Sequence, residues 1–307
     1  MRILIAGGSG FLGRHLTAAL LSAGHQVVLL TRQTAESRPA GRITSGVVSV
    51  AWTPDGAVGS WAHACTNIDV VINLCGESIV AKRWSSSQKA KLLSSRLLPT
   101  RSLVQFIDQA TPRPSVFVSA SAIGYYGNRG NEVLGEDAHS GTDFLSELCR
   151  QWESEAVKAR TASTRVVLVR TGIVLDPGEG ALAKMLPPFK LFAGGPIGSG
   201  RQYMSWIHRS DWVLLLSWLV KTPGVEGPVN ATAPHPVTNA EFARTLGHAL
   251  RRPAVLPVPP FALKLALGEM AESLLLYSQR VQPARALAGG FRFQFASLDA
   301  ALADLVS

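Results

Sequence analysis

A chain of 307 residues, 47% hydrophobic and 17% charged, fits a soluble globular enzyme with one large core or two smaller ones. Its formal charge of +9 invites a nucleic-acid reading, but the cations are scattered, with Lys82-Arg83 and Arg251-Arg252 the tightest pairs, and anionic small molecules explain the charge as well. No apolar run reaches membrane-spanning length, no cleavable leader precedes the first strand, and Cys65, Cys75 and Cys149 lack disulfide or metal spacing, so a cytoplasmic protein without metal, membrane or nucleic-acid partners is expected.

The chain opens on an apolar run, residues 3–6, of strand length and branched composition. Residues 7–13 (GGSGFLG) then place glycines as G-x-x-G-x-x-G. Leu16, Leu20 and Leu21 recur at helical spacing until Gly24, and a second strand covers 26–31. This is a strand, a glycine turn, a helix and a parallel strand, the context in which a dinucleotide pyrophosphate meets backbone N–H groups at a helix start. Gly7 permits the tight turn, Gly10 the approach of the phosphates, and Gly13 the close packing of helix on strand. An NAD site carries an acid at the end of the second strand. Here stand Thr31 and Arg32, with no acid before Glu36. A guanidinium suits a 2′-phosphate, so NADP(H) is the expected cofactor.

Further strands are expected at 47–52, 68–74, 115–119 and 165–170, alternating with helical patterns at 85–110 and 144–160. Pro99 predicts a kink or two helices in the first of these. Leu74, Cys75 and Gly76 follow a strand and become candidates to border the ligand crevice. Ser119 and Ser121 lead into Tyr125 and Tyr126, hydroxyls and phenols of the kind a carbonyl-reducing site uses. Asp211 is expected to cap a helix over 212–220 and Asn239 a helix over 238–250. After the prolines at 253, 257, 259 and 260 a helix is expected over 261–276, and 291–295 alternates like a strand. The fold class is α/β, a Rossmann doubly wound parallel sheet over 1–175, with a smaller substrate lobe over 176–307.

The fingerprint at 7–13 resembles that of the extended short-chain dehydrogenase/reductases, the sugar-nucleotide epimerase group. Residues 120–127 with Tyr-Tyr-Gly, the run from Pro188-Phe189 through 194–200 to Trp206-Ile207-His208, and the tail from Val281-Gln282-Pro283 to 290–293 narrow the resemblance to the YfcH-like "epimerase family proteins". These carry an appended carboxyl-terminal domain of unknown function, here about 253–307. The resemblance implies NADP(H) contacts at the glycine loop with Phe11 and Leu12, at Thr31, Arg32, Leu74, Cys75, Arg96 and Ser119, and at Val174 near the nicotinamide. In the wider superfamily a Ser/Thr and a Tyr-x-x-x-Lys pair carry the chemistry. That pair is missing: the corresponding helix reads Phe144-Leu145-Ser146-Glu147-Leu148, with Phe144 and Leu148 at the matching spacing.

Two readings remain. In the first, the chain is an NADP(H)-dependent, epimerase-like oxidoreductase of a small carbonyl or alcohol. Ser121, Tyr125 and Tyr126 then line one wall of the site, and Trp206 and His208 the other. Glu153 is read as a surface or packing residue. A phenol with no lysine beside it would keep a pKa of about 10 and act slowly at neutral pH. In the second, the chain is a dinucleotide sensor that kept the cofactor fold and lost the catalytic pair. The partner expected is a small-molecule substrate, with a homodimer left open.

Overall fold

In the computed structural model, which describes residues 1–32 and 46–306, the opening apolar runs lie side by side and are covered on both faces. Seven strands, numbered in chain order, build one sheet: β1 Arg2–Ala6, β2 Gln26–Thr31, β3 Val47–Ala51, β4 Val70–Asn73, β5 Val116–Ala122, β6 Arg165–Thr171 and β7 Gly227–Ala231. Their spatial order is β7-β6-β5-β4-β1-β2-β3 and every pairing is parallel, Ile3 standing opposite Val27 on one side and Val70 on the other. The order reverses between β1 and β4, which opens a ligand crevice at the carboxyl ends of these strands.

Alternation along each strand divides the core into two layers. Ile3, Ile5, Val27 and Leu29 face α1 (Phe11–Ser22) and the helix Arg209–Lys221, while Leu4, Val28, Leu30 and Val71 face α2 (Ser86–Gln109). Burial on both faces is why these strands read as unbroken apolar runs rather than as alternating ones. α3 (Phe144–Val157) packs beside α2 and over β5. A third core, built from Leu182 and Leu186 of α4 (Gly180–Lys190), Phe242 and Leu246 of the helix Asn239–Leu250, and Leu302 and Leu305 of the helix Leu298–Val306, forms the second lobe.

Several local expectations change. The division at residue 175 is crossed, because β7 completes the sheet beside β6 and the helix Arg209–Lys221 packs on α1. α2 runs as one helix of 24 residues through Pro99. Asp211 caps nothing: His208 Nδ1 accepts the N–H of Ser210 at the helix start, and the Asp211 carboxylate accepts those of Gln294 and Phe295 at 2.8 Å each. That carboxylate takes backbone donors a strand partner would need, and 291–295 forms no strand. Thr238 rather than Asn239 caps its helix, accepting from Glu241. The expected helix 261–276 breaks at Gly268, whose φ is +64°. The polar stretch 33–45, with Glu36, lies outside the described residues.

Candidate functional site

The turn from β1 into α1 is shaped by what its glycines leave out. Gly7 has φ +81°, and a Cβ there would lie 2.7 Å from the carbonyl of Leu74, so the turn presses against the end of β4. A Cβ on Gly13 would stand 2.4 Å from the Gly7 oxygen, which fixes helix against turn. At Gly10 a Cβ would meet just that oxygen, at 3.3 Å, and its outer side stays open. Gly10 is also the N-cap of α1: no side chain caps the helix and its first turn holds no acid. Free N–H groups and the positive helix end therefore face the crevice, an arrangement that fits a pyrophosphate. Arg14 braces the turn, donating to the Ser9 carbonyl at 3.3 Å and pairing with Glu179.

Thr31 and Arg32 close β2, with Arg32 exposed. The Arg32 charge reaches the Cys75 thiol across the crevice: burial pushes that thiol up to about 12 and Arg32 pulls the other way. Leu74 and Cys75 are set by Asn73, whose Oδ1 accepts the Cys75 N–H at 3.1 Å while its Nδ2 donates to Thr100 at 2.8 Å. Sequence reasoning passes over Asn73, although an asparagine between an apolar strand and a glycine loop is a turn signal. Arg96 stands behind this loop rather than in the crevice. It is 9% exposed, donates to the carbonyls of Leu92 and Glu77, and would touch a Cβ on Gly76 at 3.1 Å. Ser119 is fully enclosed and presents no surface to a cofactor. Phe11 and Val174 lie together, because a Cβ on Gly180 would meet the Phe11 ring at 3.4 Å and the Val174 oxygen at 3.6 Å. Leu12 packs on the sheet core, leaving its backbone to the turn.

At the end of β5 the polar groups turn inward. Ser121 donates to Glu153 at 2.6 Å, and Arg170 of β6 grips both oxygens of that carboxylate at 2.8 Å. Arg170 also donates to the Tyr126 hydroxyl at 3.0 Å and to the Glu136 carbonyl at 3.0 Å. Tyr126 donates to Asn230 of β7 at 2.7 Å, and the Asn230 N–H reaches the Glu136 carboxylate at 3.0 Å. Burial pushes the Tyr126 phenol up to about 12 despite Arg170 and Asn230. Tyr126 is therefore not a wall of the crevice: its side chain has no exposed surface and its hydroxyl is engaged on both sides. Ser121 is 4% exposed and its proton is committed to Glu153. Glu153 is a buried partner, not a surface residue. Tyr125 is half-buried, with the Arg170 guanidinium 3.5 Å from its ring centre.

Trp206 and His208 do not form an opposite wall. Both belong to the strand Trp206–His208 paired with Ile173–Leu175, and both are buried. His208 stacks on Phe295 at 3.9 Å, and burial holds its imidazole below the usual range, with Asp304 opposing. On α3, Phe144 packs against Trp84 and beneath Lys89, and Leu148 is enclosed. Glu153 of α3 reaches Ser121 at the end of β5, and toward the Gly124 turn that follows β5 the helix presents Leu145 and Cys149, which a Cβ on Gly124 would meet at 3.3 and 4.0 Å. Neither is a phenol or an ammonium. Among the described residues no cluster of His, Cys, Asp and Glu suits a metal, and no helix is long and apolar enough to cross a membrane.

The pattern of the NAD dependent epimerase/dehydratase family matches residues 3–231, ending with β7, and that of a domain of unknown function, DUF1731, matches 258–305. The epimerase family protein Mb2239 of Mycobacterium bovis is 41% identical over 300 residues, which cover 98% of this chain and 96% of that protein. YfhF of Bacillus subtilis, an epimerase family protein, is 39% identical over 308 residues, covering 100% of this chain and 98% of its own. The crystal structure of human epimerase family protein SDR39U1 (isoform 2) with NADPH superposes with a TM-score of 0.89 at 37% identity, covering 100% and 99% of the two chains.

Proposed function

Because the chain belongs to the NAD dependent epimerase/dehydratase family, we propose that it is an NADP(H)-binding, epimerase-like oxidoreductase acting on a small carbonyl or alcohol. The observation that carries this reading is the uncapped amino end of α1 behind Gly7, Gly10 and Gly13, with Arg32 at the end of β2. In this reading the turn and the α1 amides hold the pyrophosphate, Arg32 takes the adenosine 2′-phosphate, and the backbone of Leu74 and Cys75 borders the adenosine side. Phe11 and Val174 flank the nicotinamide. Asn73 and Arg96 act through others, shaping the 74–77 loop from behind.

NADP(H), when bound, supplies or accepts the hydride. The proton is assigned to Tyr125, the one of the two adjacent phenols whose side chain reaches solvent. In the oxidising direction Tyr125, as its phenolate, takes the substrate hydroxyl proton and becomes the phenol as the carbon–hydrogen bond breaks. Arg170, held by Glu153, places its guanidinium 3.5 Å from the centre of that ring and holds the ring in position. A second reading has its own observation: Leu145 and Cys149 fill the α3 face against the Gly124 turn after β5, which suits a sensor that binds cofactor without turnover. Incubation with NADPH and a panel of carbonyls, beside a binding titration, separates the two. Tyr125→Phe is expected to lower turnover about a hundredfold or more with unchanged NADPH affinity. Binding without turnover of any substrate favours the sensor.

A further inference from the structure

Three segments of the carboxyl-terminal half hold large apolar side chains in solvent. Leu191 and Phe192 are 77% and 56% exposed, Val255 and Leu256 74% and 53%, and Phe261 and Leu265 74% and 79%. The segments are neighbours. Leu256 N–H bonds the Gly194 carbonyl at 3.2 Å, Val258 N–H that of Pro196 at 2.9 Å, and Arg252 lies 4.5 Å from the Phe192 ring centre. Pro260, the first residue of the helix Pro260–Leu267, would touch a Cβ on Gly198 at 3.1 Å. That helix has eight residues and buries none of them. So short a helix draws its stability from a covered apolar face, and on this one Phe261 and Leu265 are a helical turn apart, on one side and uncovered.

Charge says what covers it. Residues 180–202 contain Lys184, Lys190 and Arg201 and no Asp or Glu; residues 242–268 contain Arg244, Arg251, Arg252 and Lys264 and again no Asp or Glu. Acids flank these stretches at Glu179, Glu241, Glu269 and Glu272, of which Glu179 pairs with Arg14, Glu269 pairs with Lys89 at 2.7 Å and Glu272 lies 3.6 Å from Lys264. An apolar face whose border carries more cations than acids matches a surface that offers hydrocarbon beneath anionic groups. Apposed to a second copy of itself, the same face would bring like charges together. A groove for a peptide would shelter its lining, whereas these six side chains project.

We propose that this face is a contact surface for a bilayer containing anionic phospholipid, with Phe261 and Leu265 entering the interface and the flanking cations meeting the headgroups. Such contact needs no spanning helix, and the expectation of no membrane partner rested on spanning length alone.

Cosedimentation of the full chain with vesicles tests this. Vesicles of phosphatidylcholine mixed with phosphatidylglycerol are expected to carry the protein down in dilute salt, vesicles of phosphatidylcholine alone to leave it in solution, and concentrated salt to release it. The double variant Phe261→Asp, Leu265→Asp is expected to lower the bound fraction about tenfold or more. Its melting temperature and NADPH affinity should stay unchanged, since both side chains are exposed and distant in sequence from the cofactor turn. The proposal is overturned if the anionic vesicles leave the protein in solution in dilute salt, or if the double variant binds them like the wild type. It is overturned too if the protein is a dimer that the double variant converts to monomer, because a second copy then covers the face.

Discussion

At the β1–α1 turn the first amides of α1 have no side-chain partner, whereas at the end of β5 the hydroxyls of Ser121 and Tyr126 are both engaged within the protein. The two regions flank one crevice and handle polarity in opposite ways. The turn keeps donors open to the crevice, which suits an anion arriving from solution. The β5 end ties its polar groups into a buried network joining β5, α3, β6 and β7, which suits stability and leaves Tyr125 alone with access.

If that contrast is right, damage to the two ends separates. The largest effect is expected at Arg170, 3% exposed and bonded twice to Glu153. Arg170→Ala leaves a buried carboxylate without its cation and should cost about 3–5 kcal/mol of stability, read by denaturant unfolding. NADPH affinity of the remaining folded protein should be nearly unchanged. A loss of affinity with intact stability would place Arg170 in the cofactor site instead.

Gly13→Ala attacks the other end. Its Cβ would lie 2.4 Å from the Gly7 oxygen and 2.6 Å from the Gly8 Cα, so backbone must move. The expected cost is about 1–3 kcal/mol of stability, together with a marked loss of NADPH affinity in a titration. Unchanged affinity would mean that the turn does not carry the phosphates.

The network also has a pH signature. The folded-state pKa of Tyr126, about 12, lies above the ordinary value of about 10. A raised value means that the folded state holds the proton more tightly, so this contribution is complete below pH 10 and is lost as pH rises toward 12. Its size is about 2–3 kcal/mol. Unfolding free energy measured across this window should fall more steeply for the wild type than for Tyr126→Phe. Parallel curves would show that the phenol is not held neutral by its surroundings.

How much of this could be read from residues follows the same division. Strands buried on both faces announce themselves as apolar runs, so six of the seven were legible. β7 reads Gly-Pro-Val-Asn-Ala and was not, because Val229 and Ala231 alone supply core while Asn230 serves the network. The glycine turn was legible because its glycines follow a local spacing over residues 7–13, even though Gly7 also answers to the distant Leu74 carbonyl. The network was hidden because Ser121, Glu153, Arg170 and Asn230 are far apart in sequence and meet only when β5, α3, β6 and β7 are assembled. Local spacing points to Phe144 and Leu148 of α3 as the positions matching the absent Tyr-x-x-x-Lys pair, and both are apolar. Leu145 and Cys149 together face the Gly124 turn after β5.

The most direct test of the central claim, that the turn and Arg32 form an NADP(H) site, is a parallel titration of wild type and Arg32→Ala with NADPH and NADH. NADPH is expected to bind the wild type more tightly than NADH, and Arg32→Ala to weaken NADPH by about 1.5–3 kcal/mol, the worth of a hydrogen bond to a charged group, with NADH nearly unaffected. Equal affinities of the wild type for the two nucleotides would contradict it.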